Sequence, residues 1–376
     1  MPTATLPRVD QWQQRRARGR MTWLVAAAIG VALLLVAGLV LAGLVVWRHL
    51  HRTPLEQALR VVPASSLRVG FTDWGVVRQR LGAHLGDTPS RSAVDELMSK
   101  AYDADWSAAS SINDSAGALQ EKYGFSPATA QWEAYAQGRQ GATMVLKVAA
   151  GTDFDVLAGN LRSDGYTRPR QSDGVWKGGA DLVAQLDPTL TPELQYVVLL
   201  ADQGLVVSSD NPDFAGLSGK VASGNGDSVS SQAGVSDVAG RLGQVANAQF
   251  WVGDFACSEL AMSKADQASQ DQAAQLVRQA GGVTPLAGLA MAMEPDRTLR
   301  VVEHFEDSER ARRNLLARAR LAVGDAVGRG GSFSDDFRLT RSRAVGPDVL
   351  LDLRPKAPTG FVLSALYDGP VLFATC

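Results

Sequence analysis

Two aspartates occupy positions from which their carboxylates can act together. Asp73 lies in the segment LRVGFTDW and Asp254 in the similar segment AQFWVGDFA, each directly before an aromatic residue. Two carboxylates held close together can serve as a general acid and a general base. We favour the alternative that each aspartate caps the helix that follows it, because Asp is a preferred N-cap residue.

The histidines offer no metal-binding pattern. Two of the four flank an apolar segment that ends near residue 47, which leaves His84 and His304. His304 alternates with Glu303 and Glu306, but a metal site would need a further ligand that the spacing does not supply. We therefore expect a surface or strand histidine, and neither a metal ion nor a cofactor.

Cys257 and Cys376 are the two cysteines of the chain. Outside the cytoplasm they can form a disulfide, which would close a loop of about 120 residues, or they can remain two separate buried thiols. Cys257 can also be read as a nucleophile with His84 or His304 as its base. Its flanks match no catalytic motif and the chain has no GxSxG sequence, so we expect a protein that is not an enzyme.

Three aromatic side chains lie in a segment that we predict to be rich in helix, residues 92–138. Trp106, Trp132 and Tyr135 can line an apolar groove for a lipid or a peptide. The alternative is that they fill the core, which aromatic residues do more often.

An apolar segment stands before all of these residues. Residues 21–47 contain no charge, and about 20 apolar residues are enough to cross a bilayer. Trp23 and Trp47 stand at the two ends, where indole rings prefer the membrane interface. A cleaved signal peptide is the competing interpretation, but its apolar core is usually about 7–15 residues long and is followed by small residues. We therefore predict an uncleaved transmembrane helix over 21–47.

Charge predicts the orientation of this helix. The tail 1–20 is basic and carries, among others, Arg15, Arg16, Arg18 and Arg20. Positive flanks stay inside, so the N-terminus is expected in the cytoplasm and the rest of the chain outside the plasma membrane. From residue 53 onward the chain has 30 basic and 38 acidic side chains. That balance disfavours nucleic acid as a partner.

The outer part is predicted to be an α+β ectodomain made of two similar units, each a mixed or antiparallel sheet with helices. The units are 61–217 and 240–376, and a Gly/Ser-rich loop, 218–239, joins them. Alternating or apolar runs predict strands at 67–74, 141–149, 194–210, 248–256, 286–295, 298–307, 337–355 and 368–376. Residues 174–187 are read as a hairpin, and 153–166 and 308–326 as helices, the second with Ser308 as its N-cap. The same order of elements in both units suggests a duplicated domain.

Several segments carry a resemblance to a known family. They are VPASSLRVGFTDW, VLKVAAGTDFDVLAGNLRSDGY, ADQGLVVSSD and AQFWVGDF. Over about half of its length the chain resembles the bacterial DUF3352-type extracytoplasmic proteins of unknown function. The resemblance implies no catalytic residues, and the Ala-, Val-, Arg- and Gly-rich composition is typical of an actinobacterium.

These features together predict a single-pass envelope protein whose extracytoplasmic domain acts as an accessory or scaffold. Its expected partners are the membrane and another envelope protein or a lipid. The alternatives are a binder of lipid or another apolar ligand, which would use the aromatic segment 92–138, and an envelope hydrolase, which would use Asp73 and Asp254.

Overall fold

The computed structural model describes residues 52–260, 262–367 and 369–376. The strands in this part of the chain are β1 (Ser66–Thr72), β2 (Trp132–Gly138), β3 (Gly141–Lys147), β4 (Val175–Lys177), β5 (Tyr196–Leu200), β6 (Leu205–Ser209), β7 (Asn247–Val252), β8 (Gly288–Met293), β9 (Leu299–His304), β10 (Phe337–Val345) and β11 (Asp348–Pro355). The α-helices are α1 (Pro54–Leu59), α2 (Trp74–Leu81), α3 (Arg91–Asp103), α4 (Ala116–Tyr123), α5 (Phe154–Ser163), α6 (Ala180–Leu186), α7 (Pro212–Ala222), α8 (Val235–Leu242), α9 (Phe255–Glu259), α10 (Gln267–Ala280), α11 (Ser308–Leu321) and α12 (Phe333–Asp336).

All eleven strands belong to one sheet. Their order is β10-β11-β9-β8-β7-β1-β2-β3-β6-β5-β4, and every neighbouring pair is antiparallel. The fold is therefore α+β with a large antiparallel sheet. Residues Thr53–Cys376 form one compact unit, and the predicted boundaries at 217 and 240 stay predictions.

Helices cover both faces of the sheet. We call one the α11 face, since Val301 and Leu299 of β9 share a core cluster there with residues of α11. The other is the α8 face, where Val302 of β9 packs with residues of α1 and α8. Successive strand residues point to opposite faces, so each strand supplies both cores.

Several helices begin at a side chain that accepts a hydrogen bond from a free backbone amide. Asp73 Oδ1 accepts a hydrogen bond of 2.9 Å from the amide of Val76 at the start of α2. Asp307 caps α11 by accepting from the amide of Arg310 at 2.8 Å. The predicted cap of this helix, Ser308, is instead its first residue. Such caps stabilise a helix by about 1 kcal/mol each.

Four predicted elements are corrected. Residues 132–138, predicted to lie in a helical segment, form β2. This strand pairs with β1 and β3, and its successive side chains point to opposite faces of the sheet. Residues 180–186 are helix α6 instead of a strand. The predicted strand 368–376 includes the short 3₁₀ turn Leu372–Ala374. The range 218–239 is not an open loop, since it holds the end of α7 and the start of α8 with buried apolar side chains.

Among the helices of the described residues, none combines the length and the apolar character that a membrane span requires. The predicted span 21–47 lies outside them, as do Trp23 and Trp47 and the arginines of the tail, Arg15, Arg16, Arg18 and Arg20. The transmembrane helix and its orientation therefore stay predictions.

Gly70 in β1 is required by the loop that crosses above it. A Cβ at this position would stand 2.5 Å from the carbonyl oxygen of Ala109. We expect Gly70→Ala to lower the free energy of unfolding by about 1–3 kcal/mol, because the loop must shift. The matched control is Gly159→Ala in α5, where nothing lies within 4 Å of the added Cβ and helix propensity predicts a gain of about 0.5–1 kcal/mol. If denaturant unfolding showed the same change in stability for both variants, the close approach of Ala109 to Gly70 would be contradicted.

Candidate functional site

The sheet keeps Asp73 and Asp254 apart. In the antiparallel pair of β1 and β7, Thr72 lies opposite Asn247, and Arg68 lies opposite Trp251. Asp73 therefore follows one end of the pair and Asp254 follows the other, roughly 20 Å away. Asp73 is a cap, as predicted, whereas Asp254 has the N-cap position without a side-chain hydrogen bond. The less favoured alternative, an acid–base pair, does not form.

His304 is a buried strand residue on the α8 face. Its Nδ1 lies 2.7 Å from a carboxylate oxygen of Asp348, whose other oxygen accepts from Arg241 at 3.0 Å. Gly234 lies against the far side of the imidazole, so close that an added Cβ would collide with Nε2 of His304. Among the described residues, no group of three or more His, Cys, Asp or Glu is arranged to hold a metal ion. Arg241 thereby links α8 to the sheet, and we interpret the contact of His304 with Asp348 as structural.

Cys257 and Cys376 form a disulfide with their Cα atoms 5.4 Å apart. The bond ties the last residue of the chain to the short helix α9. The amide of Leu286 also points to the sulfur of Cys376 at 3.5 Å. A sulfur held in a disulfide is not a nucleophile, so the catalytic interpretation of Cys257 does not apply to this form of the protein.

The aromatic side chains do not assemble the apolar groove, and the favoured alternative, core filling, holds for the two tryptophans. Trp106 is 5% exposed and belongs to the core of the α11 face, while Trp132 is 3% exposed and belongs to the core of the α8 face. Tyr135 donates its hydroxyl to Glu193 at 3.0 Å. The sheet separates the two indoles, so they fill two cores.

Two cavities lie elsewhere in the first half of the domain. One has a volume of about 510 Å³ and is lined by residues such as Leu85, Phe125 and Asp153. The other has about 380 Å³ and is lined by residues such as Phe154, Arg168 and Trp176. Both fall within the size range of ligand pockets, but neither brings together a set of groups with an assignable chemistry.

The buried carboxylate of Glu133 fastens a loop to the sheet. It accepts hydrogen bonds from the indole of Trp74 at 3.2 Å, the hydroxyl of Ser110 at 2.7 Å and the amide of Ser111 at 2.8 Å. Burial raises the pKa of Glu133, although these donors oppose the shift. All its partners belong to the protein itself, so we assign it to structure.

Asp105 joins the same loop to the C-terminal segment. Its carboxylate accepts from the amide of Leu363 at 2.6 Å, and Asn247 of β7 donates to the carbonyl of Asp105 at 3.1 Å. Asp105 has a left-handed φ of 60°, which is costly for a non-glycine residue. These contacts hold the backbone there, and they connect segments more than 250 positions apart in the chain.

Glu303 and Arg318 are both fully buried on the α11 face. The guanidinium Nε stands 3.8 Å from a carboxylate oxygen of Glu303, and no described group donates a hydrogen bond to that carboxylate. Arg318 instead donates to the carbonyls of Phe373 at 2.7 Å, Thr375 at 2.5 Å and Thr284 at 2.7 Å. It thereby holds the C-terminal segment beside the disulfide.

Burial raises the pKa of Glu303 from 4.5 to about 7, and the charge of Arg318 opposes this only in part. The folded protein therefore holds a proton that the unfolded chain releases, and stability falls as pH rises from about 4.5 to about 7. A shift of this size corresponds to a loss of up to about 3 kcal/mol. Glu303→Gln should remove this component, so its free energy of unfolding should change less between pH 5 and pH 8. If the free energy of unfolding of the natural protein and of Glu303→Gln changed equally with pH, Glu303 would not be the group responsible.

A group of four arginines lies at one edge of the sheet, and two of them have no partner among the described residues. Arg338 and Arg341 of β10 are exposed, and no described residue forms an ion pair or a hydrogen bond with their side chains. Arg343 contacts Asp352 at 3.1 Å, and Arg354 of β11 contacts Asp296 at 3.0 Å. We call these four arginines the arginine edge. By the register of the strands, all four point to the α8 face.

The arginine edge belongs to a basic part of an acidic domain. Residues 308–356 carry eleven basic and six acidic side chains, although the chain from residue 53 onward is acidic as a whole. Arg338 also lies directly opposite Arg354 in the ladder, and like charges in this position repel each other. Asp296 already pairs with Arg354, so the charges left for an anion to pair with are those of Arg338 and Arg341, and the arginine edge is the candidate site.

Sequence reasoning predicted the strand pair at 337–355 but did not single out its arginines. The signal was present as RLTRSR, in which basic residues recur along one predicted strand. What the sequence did not reveal is that this strand ends the sheet.

No protein-family model matches the chain, and no curated protein matches its sequence. Among solved structures, one titled "Structure of crystal form I of TP0453" is similar over 82% of this chain and 96% of that chain, with 8% sequence identity and a TM-score of 0.40. A TM-score of this size carries no argument about fold or function. The resemblance to DUF3352-type proteins stays a prediction.

Proposed function

We propose that the protein is a single-pass envelope protein whose extracytoplasmic domain binds another envelope component as an accessory or scaffold. The observation that carries the proposal is the arginine edge, where Arg338 and Arg341 are exposed and have no partner among the described residues. Buried charges such as Glu133 and Asp105 connect segments of the chain instead. Two charges left unpaired at an edge suit recognition of an anionic partner.

The predicted segment 21–47 supports the location in this proposal. It is uncharged, and arginines precede it. The proposal therefore places the N-terminus in the cytoplasm and the sheet outside the plasma membrane. A disulfide between Cys257 and Cys376 agrees with an oxidising compartment.

We also infer that the domain is a duplicated α+β unit. Outward from the central pair, one half has the order β1-β2-β3-β6-β5 and the other has β7-β8-β9-β11-β10. In each half a long helix, α5 or α11, follows the third strand. In this inference the hairpin of β10 and β11 corresponds to β5 and β6.

The test is crosslinking in living cells with the tagged full-length protein, followed by identification of what is captured. We expect a reproducible envelope protein, and we expect its capture to be lost with the double substitution Arg338→Glu and Arg341→Glu. The matched control is Arg80→Glu with Arg170→Glu, two exposed arginines of the first half that have no partner among the described residues. Capture of only the protein itself, or equal capture by both variants, would overturn the proposal.

A further inference from the structure

We propose that the outer edge of β10 binds an acidic, extended segment of a partner protein as an additional strand of the sheet. This inference rests on the proposed function, because it names the chemistry of the partner at the same arginine edge. The two end strands of the sheet differ in length. One end strand, β4, has three residues, whereas β10 has nine. A long edge strand presents a row of unpaired backbone groups that can pair with another chain.

The register shows which backbone groups of β10 point outward. The amide of Phe305, next to β9, donates to the carbonyl of Pro347 at 2.9 Å. The backbone hydrogen-bonding groups of residues 347, 349 and 351 therefore point toward β9, and those of residues 348, 350 and 352 point toward β10. Their partners in β10 are 345, 343 and 341, so the backbone groups of Ser342 and Ala344 point away from the sheet. No described residue outside the ladder forms a hydrogen bond with either backbone.

Charge then selects the kind of strand that can be added. Arg338, Arg341 and Arg343 share the α8 face, because the bulge between Leu339 and Arg341 shifts the alternation by one residue. A second copy of β10 would bring the same arginines together and be repelled. A segment with acidic residues at alternate positions would place its carboxylates beside them. The occupant is therefore an acidic strand from another protein.

Both parts of this recognition can be removed separately. Ser342→Pro deletes an outward amide but costs no hydrogen bond to β11, and proline is tolerated on edge strands. Arg338→Gln with Arg341→Gln removes the charges and keeps the backbone. A partner bound by charge alone, such as an anionic lipid surface, would respond only to the second change.

The probe is a fluorescein-labelled ten-residue peptide of alternating valine and glutamate, added to the full-length protein in a neutral detergent. Fluorescence anisotropy should show binding, and both Ser342→Pro and the double glutamine variant should weaken it by about tenfold. The control pair Arg80→Gln and Arg170→Gln should leave it unchanged. A peptide N-methylated at alternate residues should also fail to bind, which tests strand addition without altering the protein.

Two outcomes would overturn the inference. One is peptide binding that depends on the arginines but not on Ser342→Pro or on N-methylation, which would mean attraction by charge alone. The other is no peptide binding, whether or not vesicles of phosphatidylglycerol bind. In either case, crosslinking in cells that still depends on Arg338 and Arg341 would leave the proposed function standing.

Discussion

Replacing Arg318 with methionine is expected to lower the free energy of unfolding by about 3–5 kcal/mol. The side chain is fully buried and donates to the carbonyls of Phe373, Thr375 and Thr284. Methionine would leave these buried acceptors without their donor and Glu303 without its neighbouring charge. Each buried polar group left unsatisfied costs about 1–3 kcal/mol. The loss is large beside a total stability of about 5–15 kcal/mol.

The measurement is denaturant unfolding of the full-length protein followed by tryptophan fluorescence. Arg312→Met is the matched control, because Arg312 lies on the exposed side of the same helix and has no partner among the described residues. Surface substitutions of this kind change stability by less than about 0.5 kcal/mol. If the two methionine variants unfold at the same denaturant concentration, Arg318 does not hold the C-terminal segment.

Removing the disulfide is the second large change. The variant with Cys257→Ser and Cys376→Ser lacks a bond between residues separated by 119 positions. In the chain-entropy model, a bridge over a loop of this length stabilises the folded state by up to about 4–5 kcal/mol, because it restricts the unfolded chain. We expect the variant to lose about 2–5 kcal/mol in denaturant unfolding.

The reducing agent dithiothreitol supplies the control for this result. It should bring the natural protein down to the stability of the double-serine variant and leave the variant itself unchanged. A natural protein that is equally stable with and without the reductant would show that the bond does not contribute to stability under those conditions.

Local patterns predicted many elements near their observed positions. The alternation in LRVGFTDW predicted β1, and the helix predicted over 308–326 corresponds to α11. The errors occurred where local preference and tertiary pairing disagree. Ala, Gln and Glu favour helix in the segment around Trp132, yet the segment lies between β1 and β3 and forms β2.

Features that depend on neighbouring residues could be read from the amino-acid sequence. These are the uncharged segment 21–47 with its basic flank, the acidic balance of residues 53–376, most strands, and helices such as those predicted at 153–166 and 308–326. The reason is that propensity, capping and hydrophobic periodicity act over a few residues.

Which distant residues meet depends on the tertiary structure. The antiparallel register separated Asp73 from Asp254, and the packing of α9 against the C-terminal segment brought Cys257 to Cys376. The strand order left Arg338 and Arg341 on a strand with one neighbour. Strand order and register depend on contacts between residues tens to hundreds of positions apart, and no local pattern encodes which strand will lie at the edge.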